Sequence, residues 1–286
     1  MNRVYLHNNE SIKKIVIKYL IGLLPLVLYG FYKNGILLYR DDLVSFVDMF
    51  NVFYLLIISI LLLLITNFFF KKKIFENMSL VLVCTVPLFM PPSINLLVYA
   101  IFLFLSLIII NVLPKKINYN KIAFVILFIL IIINMFEPLS YLNSAEKLNI
   151  YALNFFDLIC GRTIGGIASS NILLGIIVLF YYAFFNNYKK VIAFSSLLAF
   201  VIIMILINNF DINELIASNA ILALILIAPD TISTPAKFQS MVIYGLILGI
   251  LTGLLTSFIS FNIGVFIAIL ICSFTTPILV KLTEKW

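Results

Sequence analysis

The stretch Ala228-Pro229-Asp230-Thr231-Ile232-Ser233-Thr234-Pro235 interrupts a chain that is otherwise almost entirely apolar. A short apolar run, 215–228, leads into it, and two apolar runs of full membrane-spanning length, 241–260 and 263–280, follow it. Two prolines, an aspartate and three hydroxyl side chains at the end of a short apolar helix are unusual for a plain connector. The stretch therefore predicts a polar site within the membrane, at the end of an interrupted helix.

The composition of the chain indicates its class. Of its 286 residues, 64% are hydrophobic and 11% are charged, whereas soluble domains contain about 45–50% apolar and about 25% charged residues. The apolar residues fall in repeated runs of about 17–22, which is the length of a membrane-spanning helix. We therefore predict an all-α polytopic protein of the cytoplasmic membrane, without an independent soluble domain.

Ten apolar segments can be marked along the chain. They are 15–31, 51–70, 79–90, 94–113, 122–138, 164–185, 191–207, 215–228, 241–260 and 263–280. Eight of them are of spanning length or close to it. The two short ones, 79–90 and 215–228, would reach only about 18 and 21 Å as helices, against a hydrocarbon core of about 30 Å.

The two short segments occupy the same place in two groups of five. Each is the third of its group, and each ends in prolines, in Met90-Pro91-Pro92-Ser93 and in the stretch 228–235. Interrupted segments at matching positions of two halves point to a binding site between repeats. Because five is odd, two tandem copies insert in opposite orientations. We therefore predict an inverted repeat, with an N-terminal unit 1–140, an extracytoplasmic connecting loop 141–163 and a C-terminal unit 164–286.

The positions of lysine and arginine support the count of ten segments. With the N-terminus inside, 14 of these residues fall on the cytoplasmic side and four (Lys33, Arg40, Lys147 and Arg162) outside; Lys18, in the first segment, completes the total of 19. This positive-inside bias accounts for the net charge of +7 without a nucleic-acid partner. Both termini and the stretch 228–235 are predicted on the cytoplasmic side, and the turn 90–93 on the outer side.

Few residues offer chemistry inside the membrane. No Asp, Glu or Arg lies in the middle of a segment, which disfavours a self-contained proton-driven transporter. The three cysteines are scattered and the single histidine is in the N-terminal tail, so no metal site is predicted. Asp230 has two interpretations of equal weight. It is either a turn former between Pro229 and Thr231 or a pocket group that acts with the neighbouring hydroxyls.

Several motifs together resemble one family of membrane proteins. In the C-terminal half they are the stretch 228–235, Ile243-Tyr244-Gly245, Gly249, Gly253, Asn262-Ile263-Gly264 and Pro277. Upstream they are Phe155-Phe156-Asp157-Leu158-Ile159-Cys160-Gly161, Ile164-Gly165, Ile172-Leu173-Leu174-Gly175, Leu88-Phe89-Met90-Pro91-Pro92, Leu24-Pro25 and Ser11-Ile12-Lys13-Lys14-Ile15. These motifs cover most of the chain and resemble the RnfD/NqrB family, membrane subunits of ion-translocating electron-transport complexes.

The resemblance implies a fold, a role and a cofactor. That family folds as ten helices in an inverted repeat, in agreement with the segments marked above. It implies a subunit of an Rnf/Nqr-like oxidoreductase complex that works with other membrane and peripheral subunits. It also implies a flavin, either FMN or riboflavin.

The chain departs from the family where FMN is joined through its phosphate to a threonine. The matching stretch reads Asn143-Ser144-Ala145-Glu146-Lys147-Leu148, with Glu146 in the place of the threonine. A carboxylate has no hydroxyl for the phosphoester, and its charge repels the phosphate. We therefore predict no covalent flavin at Glu146, with Ser144 as the alternative acceptor. If this chain binds a flavin, we expect it to be held non-covalently between the two halves.

The predicted cofactor-binding residues are Asp230, Thr231, Ser233, Thr234, Pro235, Thr163, Ser169 and Asn171. The last three, with Ser170, belong to the predicted sixth helix, where hydrogen bonding between helices is the competing interpretation. Gly245, Gly249 and Gly253 recur every fourth residue along one helix face. Close packing against another helix is the favoured interpretation of that face, over a slot for a flavin ring.

The sequence thus predicts a membrane subunit of an ion-translocating electron-transport complex, with a non-covalent flavin between its two halves. Two alternatives stay open. One is a small-solute or ion channel of the same architecture, in which the proline-ended half-helices point at the permeant species. The other is a non-redox scaffold subunit.

Overall fold

The computed structural model of the chain describes residues 10–73, 78–114, 117–136, 165–207, 219–260 and 262–283. Every regular element in these ranges is helical, as the composition predicts. The α-helices are α1 (Ile12–Phe31), α2 (Leu37–Arg40), α3 (Asn51–Phe69), α4 (Ser79–Thr85), α5 (Leu96–Val112), α6 (Lys121–Phe136), α7 (Ile172–Ala183), α8 (Lys190–Ile207), α9 (Ala220–Leu226), α10 (Phe238–Phe258) and α11 (Gly264–Thr283).

Three short helical pieces complete these elements. A π-helical turn, Tyr32–Ile36, joins α1 to α2, so that the first helix runs on to Arg40. The 3₁₀ turn Asp48–Phe50 leads into α3, and the 3₁₀ turn Val86–Phe89 extends α4. Each of the ten apolar segments predicted from the sequence therefore contains a helix.

Five helical stretches are long and apolar enough to cross a membrane, by length and composition: Ile12–Arg40, Asp48–Phe69, Lys190–Ile207, Phe238–Phe258 and Gly264–Lys281. These helices carry large apolar side chains on their outer faces, and Leu28, Leu61 and Phe274 are each more than half exposed. An apolar outer surface is what contact with lipid requires. The fold is therefore that of an integral α-helical membrane protein, while the ten spans, the inverted repeat and the side of the termini stay predictions.

The third segment of each half is short in the structure as well. Helix α4 has seven residues before its 3₁₀ turn, and α9 also has seven. In α9 the six residues Ala220–Ile225 are all buried, so this helix lies inside the molecule. At about 1.5 Å per residue, α9 is only about 10 Å long. Helix α4 with its 3₁₀ turn ends at Met90, and α9 ends at Ile227. The turns that begin there, 90–93 and 227–235, are called the first break and the second break below.

The sixth segment begins later than the sequence predicts. Helix α7 starts at Ile172, not near residue 164, and the side chain of Asn171 accepts a hydrogen bond from the Leu174 amide as its N-cap. Gly165, with φ of 156°, lies in a conformation that other residues rarely adopt. The prediction that Ser169, Ser170 and Asn171 lie on the helix is therefore wrong. They form the loop that enters it.

The glycine face of α10 packs directly against α8. A Cβ added at Gly249 would lie 2.6 Å from Ala199 Cβ and 2.9 Å from the Phe200 nitrogen, and one at Gly253 would lie 2.5 Å from Ile203 Cγ2. The prediction of close helix packing is confirmed. This face is filled by α8 and leaves no slot for a flavin ring.

Candidate functional site

The second break is a compact turn closed by its own side chains. Asp230 Oδ2 accepts hydrogen bonds from the Ser233 amide at 3.0 Å and from Ser233 Oγ at 2.6 Å. The Thr234 hydroxyl donates to the Asp230 carbonyl. Asp230 is thus the turn former that one interpretation predicted. Ser233 and Thr234 are buried, whereas the Thr231 side chain is exposed.

A lysine from the loop between two other helices donates hydrogen bonds to this turn. Lys189 lies between α7 and α8, and its ammonium donates to the carbonyls of Thr231 at 3.1 Å and Thr234 at 2.7 Å. It also donates to Thr234 Oγ1 at 2.8 Å. These three bonds match the three protons of a charged ammonium. Lys189 therefore holds the turn that Asp230 shapes.

The position of Lys189 affects its protonation. Partial burial removes water from the ammonium and lowers its pKa from 10.5 to about 8, although the nearby Asp230 carboxylate acts in the opposite direction. The ammonium is therefore close to half-titrated at pH 8. The second break contains a group whose charge changes near physiological pH.

Residues before α6 reach across to the same break. Asn120 Nδ2 donates to the Ile227 carbonyl at 2.8 Å, which is the exit of α9. Its Oδ1 accepts from the Ile122 and Ala123 amides, both at 3.1 Å, and so caps α6. Asn118 Nδ2 and Thr276 Oγ1 both donate to the Ser233 carbonyl, at 3.1 and 2.9 Å. The N-terminal half and α11 thus supply partners to the broken helix of the C-terminal half.

The first break has a different set of partners. The Leu88 and Met90 carbonyls accept from the amides of Ala168 at 3.0 Å and Ile167 at 2.9 Å, in the loop before α7. Leu88 and Met90 are fully buried. At Gly166 an added Cβ would lie 2.6 Å from Ser169 Oγ and 3.1 Å from the Leu88 carbonyl oxygen, so a larger residue would force the loop to shift. The carbonyl ends of α4 are therefore satisfied by backbone groups of the other half.

The predicted site residues fall into two groups at opposite ends of α9. Asp230, Ser233, Thr234 and the buried Pro235 lie at its exit. The Ser169 hydroxyl donates to the Oδ1 of Asn219, the residue that precedes α9. The length of α9, about 10 Å, separates the two groups. The structure therefore does not bring Ser169 together with Asp230.

Of the remaining predicted residues, one lies in the described part of the chain and the others lie outside it. Asn171 acts as the N-cap of α7, on the Ser169 side. Thr163, Ser144 and Glu146 lie outside the described residues, as do Cys160 and the connecting loop 141–163. In the described part of the chain, no group of three or more His, Cys, Asp or Glu side chains is arranged to hold a metal ion.

Lys33 is buried, which the sequence did not suggest. The sequence predicts an outer loop position for Lys33, yet it lies in the π-helical turn, is 2% exposed and donates to Ser170 Oγ at 3.1 Å. Asn34, in the same turn, donates to the Ile167 carbonyl at 3.0 Å. π-Helical turns often mark places where a helix is adapted to a specific contact. Here the turn at the end of α1 is hydrogen-bonded to the loop before α7.

Sequence reasoning also missed Lys189 and Asn120 at the second break. The positive-inside pattern explains the basic pair Lys189-Lys190 by membrane orientation alone, and the partners of Lys189 lie more than 40 positions away. A signal existed for Asn120, since an asparagine just before an apolar run is a typical helix N-cap. That signal gives the bond to Ile122 but not the one to Ile227.

The fold and the breaks define the class of the protein. It is an integral α-helical membrane protein in which two short buried helices end in polar or proline-rich turns, each held by the other half of the chain. Comparison with known families identifies it further. The model of the NQR2, RnfD, RnfE family matches residues 1–286, and the chain therefore belongs to that family. It is a membrane subunit of an Rnf/Nqr-type complex, as its motifs predicted. A search of the curated proteins finds no significant match.

Proposed function

We propose that this subunit couples electron transfer to ion movement in its complex and holds a flavin non-covalently at the second break. Family membership over the whole chain supports the role in the complex. The second break supports the position, because among the described residues at the ends of the two short helices a carboxylate and a lysine come together only there. The partners are the other membrane and peripheral subunits of the complex.

The polar atoms at the second break determine what kind of ligand it fits. All three protons of Lys189 are directed at the turn itself. Asp230 Oδ2 is engaged by Ser233, while Asp230 Oδ1 has no hydrogen-bond partner among the described residues. A free carboxylate oxygen accepts a hydrogen bond and repels a phosphate. The turn therefore fits the polar edge of a flavin ring better than the phosphate of FMN.

A flavin in this position supplies one- and two-electron transfer. The residues of the chain have other tasks. Lys189 and Ser233 fix the conformation of the turn, and Asp230 Oδ1 offers an acceptor. The packed exit of α9, with Ile225, Ile227 and Ala228 fully buried, keeps bulk water from the inner side of the turn.

The proposal is tested by the flavin content of the full chain purified in a mild detergent. We expect flavin absorbance that is lost on acid precipitation, with the flavin recovered in the supernatant. Because Glu146 replaces the attachment threonine, we expect no fluorescent band for this chain in a denaturing gel. A colourless protein would contradict the flavin assignment. A fluorescent band would contradict its non-covalent character.

A second candidate function is that of a scaffold subunit without redox chemistry. The closed hydrogen bonding of the turn favours it, because Ser233 and Thr234 are satisfied by Asp230 and Lys189 without a ligand. A double substitution, D230A with T231A, separates the two candidates in the assembled complex. Assembly with loss of activity supports a site, and assembly with full activity supports a scaffold.

A further inference from the structure

Two large apolar side chains are exposed at the second break. Ile232, within the turn, is 70% exposed, and Phe238, at the start of α10, is 66% exposed. The side chains of Thr231, Lys237 and Gln239 are exposed beside them. Exposed lysine and glutamine side chains are costly among lipid tails. This part of the surface therefore lies at or beyond the surface of the membrane, where its apolar side chains meet water.

A third exposed apolar side chain is brought to the same place by a hydrogen bond. Asn118 Nδ2 donates to the Ser233 carbonyl at 3.1 Å, so the two segments lie side by side. Ile117 precedes Asn118 and is exposed, as Ile232 precedes Ser233 and is exposed. The segment before α6 and the second break thus present isoleucines from adjoining positions. An exposed apolar patch bordered by polar residues marks an interaction site.

The charge around these apolar side chains is positive. Three exposed lysines lie close to the turn: Lys237 two residues after it, Lys190 next to Lys189, which holds the turn, and Lys121 next to Asn120, which binds its first residue. The carboxylate of the break is directed at its own turn, where it accepts two hydrogen bonds. The apolar and basic side chains together are called the docking surface below: Ile117, Ile232, Phe238, Lys121, Lys190 and Lys237.

The first break differs at its surface. Ile94, next to its turn, is buried, as is Pro91 within the turn. Leu97, at the start of α5, is 74% exposed like Phe238, but the sequence 78–114 around it contains neither lysine nor arginine. An exposed apolar side chain without nearby charge suits contact with lipid tails. The second break combines exposed apolar side chains with positive charge, which lipid tails do not match.

We propose that the docking surface binds a peripheral subunit of the complex, through an apolar contact centred on Ile232 that acidic side chains of the partner surround. This inference rests on the part of the proposed function that makes the chain a subunit of the complex, and not on the flavin. An apolar centre within a rim of complementary charge is typical of protein interfaces.

The rigidity of the turn favours a protein over a lipid headgroup as the occupant. Asp230 and Lys189 hold the turn in one conformation by hydrogen bonds to its backbone and side chains. A contact surface that is already ordered lowers the entropy cost of binding a partner of fixed shape. A mobile headgroup gains less from such order, although its phosphate would also attract the lysines. The experiment therefore includes the lipid as an outcome.

The position of the contact is tested by photo-crosslinking in the assembled complex. A benzophenone side chain is introduced at Ile232 and, as a matched control, at Leu97, the exposed residue that follows the first break. We expect an adduct between position 232 and a peripheral subunit, identified by mass spectrometry, and no adduct of that subunit with position 97. An adduct of position 232 with phospholipid alone would overturn the proposal. The same subunit linked to both positions would contradict the location of the contact.

The strength of the contact is tested by rebinding of the purified peripheral subunits to the membrane part of the complex. For I232D, which places a negative charge in the apolar centre, we expect a Kd at least about tenfold higher. For K237E we expect a Kd about threefold higher at low salt and close to that of the wild type at high salt, because salt screens exposed charges. All these positions are exposed, so the variants are expected to fold.

The matched control for the charge reversal is K71E. Lys71 is an exposed lysine at the end of α3, which packs against α1, α4 and α5. We expect its Kd to stay within about twofold of the wild type. An unchanged Kd in both I232D and K237E would overturn the proposal. A Kd raised equally in K71E would show that the lysines act only through the total charge, which would contradict the docking surface.

The outcomes distinguish the docking surface from the flavin assignment. Subunit binding is measured without reference to the colour of the protein. A colourless complex in which I232D weakens subunit binding would overturn the flavin assignment and support the docking surface. A complex that holds flavin and binds its peripheral subunits equally well with I232D would support the flavin assignment and overturn the docking surface.

Discussion

The two breaks solve the same structural problem with different groups. At the first break, backbone amides of Ile167 and Ala168 satisfy the carbonyls that end α4. At the second break, the side-chain amide of Asn120 satisfies the Ile227 carbonyl that ends α9, and Lys189 binds the turn beyond it. A short helix buried in a membrane protein must have its terminal carbonyls satisfied from within the protein. Both halves meet this need with groups from the other half, or from a distant part of the chain.

The difference between the breaks indicates where chemistry is possible. Backbone amides are neutral and cannot change protonation, so the first break is suited to a fixed structural role. The second break contains a carboxylate, an ammonium with a pKa near 8 and several side-chain amides and hydroxyls. Its interactions can be altered by pH, by substitution or by a ligand. This difference is the reason why the proposed function is located at the second break and a supporting role is proposed for the first.

The largest expected effect concerns Asn120, which serves two helices. The substitution N120A removes the cap of α6 and leaves the Ile227 carbonyl buried without a partner, for a loss of about 2–4 kcal/mol of stability. The matched control is N95A at the first break. Asn95 is an exposed cap whose side chain, among the described residues, bonds the Leu97 and Val98 amides of α5, and its loss should cost about 1 kcal/mol. Thermal unfolding in detergent measures both. Equal losses would mean that the second break does not depend on side chains as described.

The next largest effect on stability concerns α5 and α10, the helices that follow the two breaks. Helix α5 is fastened to α3 by the pair Ser59–Tyr99, whereas α10 is fastened to α8 by close contact at its glycines. G249A should cost about 1–3 kcal/mol, because the added methyl group meets backbone that cannot move freely. G175A is the control, since its methyl group would lie 3.5 Å from the flexible ends of Leu222 and Ile225. That substitution should be neutral or stabilise by up to about 1 kcal/mol. A harmless G249A would contradict the tight contact.

A smaller effect is expected from the protonation of Lys189. The pKa of this lysine is 10.5 when unfolded and about 8 in the folded protein, because burial disfavours the charge. Between pH 8 and 10.5 the unfolded chain therefore binds more protons than the folded one, and stability contributed by this group rises with pH. Below pH 8 the contribution is constant.

This pH dependence is measured as a difference between two proteins. Melting temperatures of the wild type and of K189M are compared at pH values from 7 to 10, since other groups affect both in the same way. We expect the wild type to gain relative to K189M above pH 8. A constant difference would mean that the folded pKa of Lys189 is not lowered.

The sequence predicted the helices well because hydrophobic length is a local property. The segment 79–90 matches α4 with its 3₁₀ turn, and the turn at Asp230 follows from its own neighbours. The predicted start of α7 is wrong because a count of apolar residues takes no account of the Gly165-Gly166 pair or of the Asn171 cap. The burial of Lys33 was missed because a lysine near the end of an apolar run usually lies in a loop.

The contacts of the site were less accessible to sequence reasoning than its position. Lys189 and Thr234 are 45 positions apart, and Asn120 and Ile227 are 107 apart. No local pattern encodes such pairs, since they arise only when the halves pack together. The same packing separates Ser169 from Asp230 by placing them at opposite ends of α9, although both are polar residues of the C-terminal half.

The central claim, that function lies at the second break, is tested most directly by one polar substitution at each break. D230N keeps an oxygen for the bonds from Ser233 but removes the charge, and N51A removes the side chain that donates to the Pro92 carbonyl at 3.4 Å. Electron-transfer activity of the assembled complex is measured for both. We expect D230N to lower activity by about tenfold or more, the effect of losing one charge-dependent interaction, and N51A to stay within about twofold of the wild type. Wild-type activity in D230N, or an equal loss in N51A, would contradict the assignment.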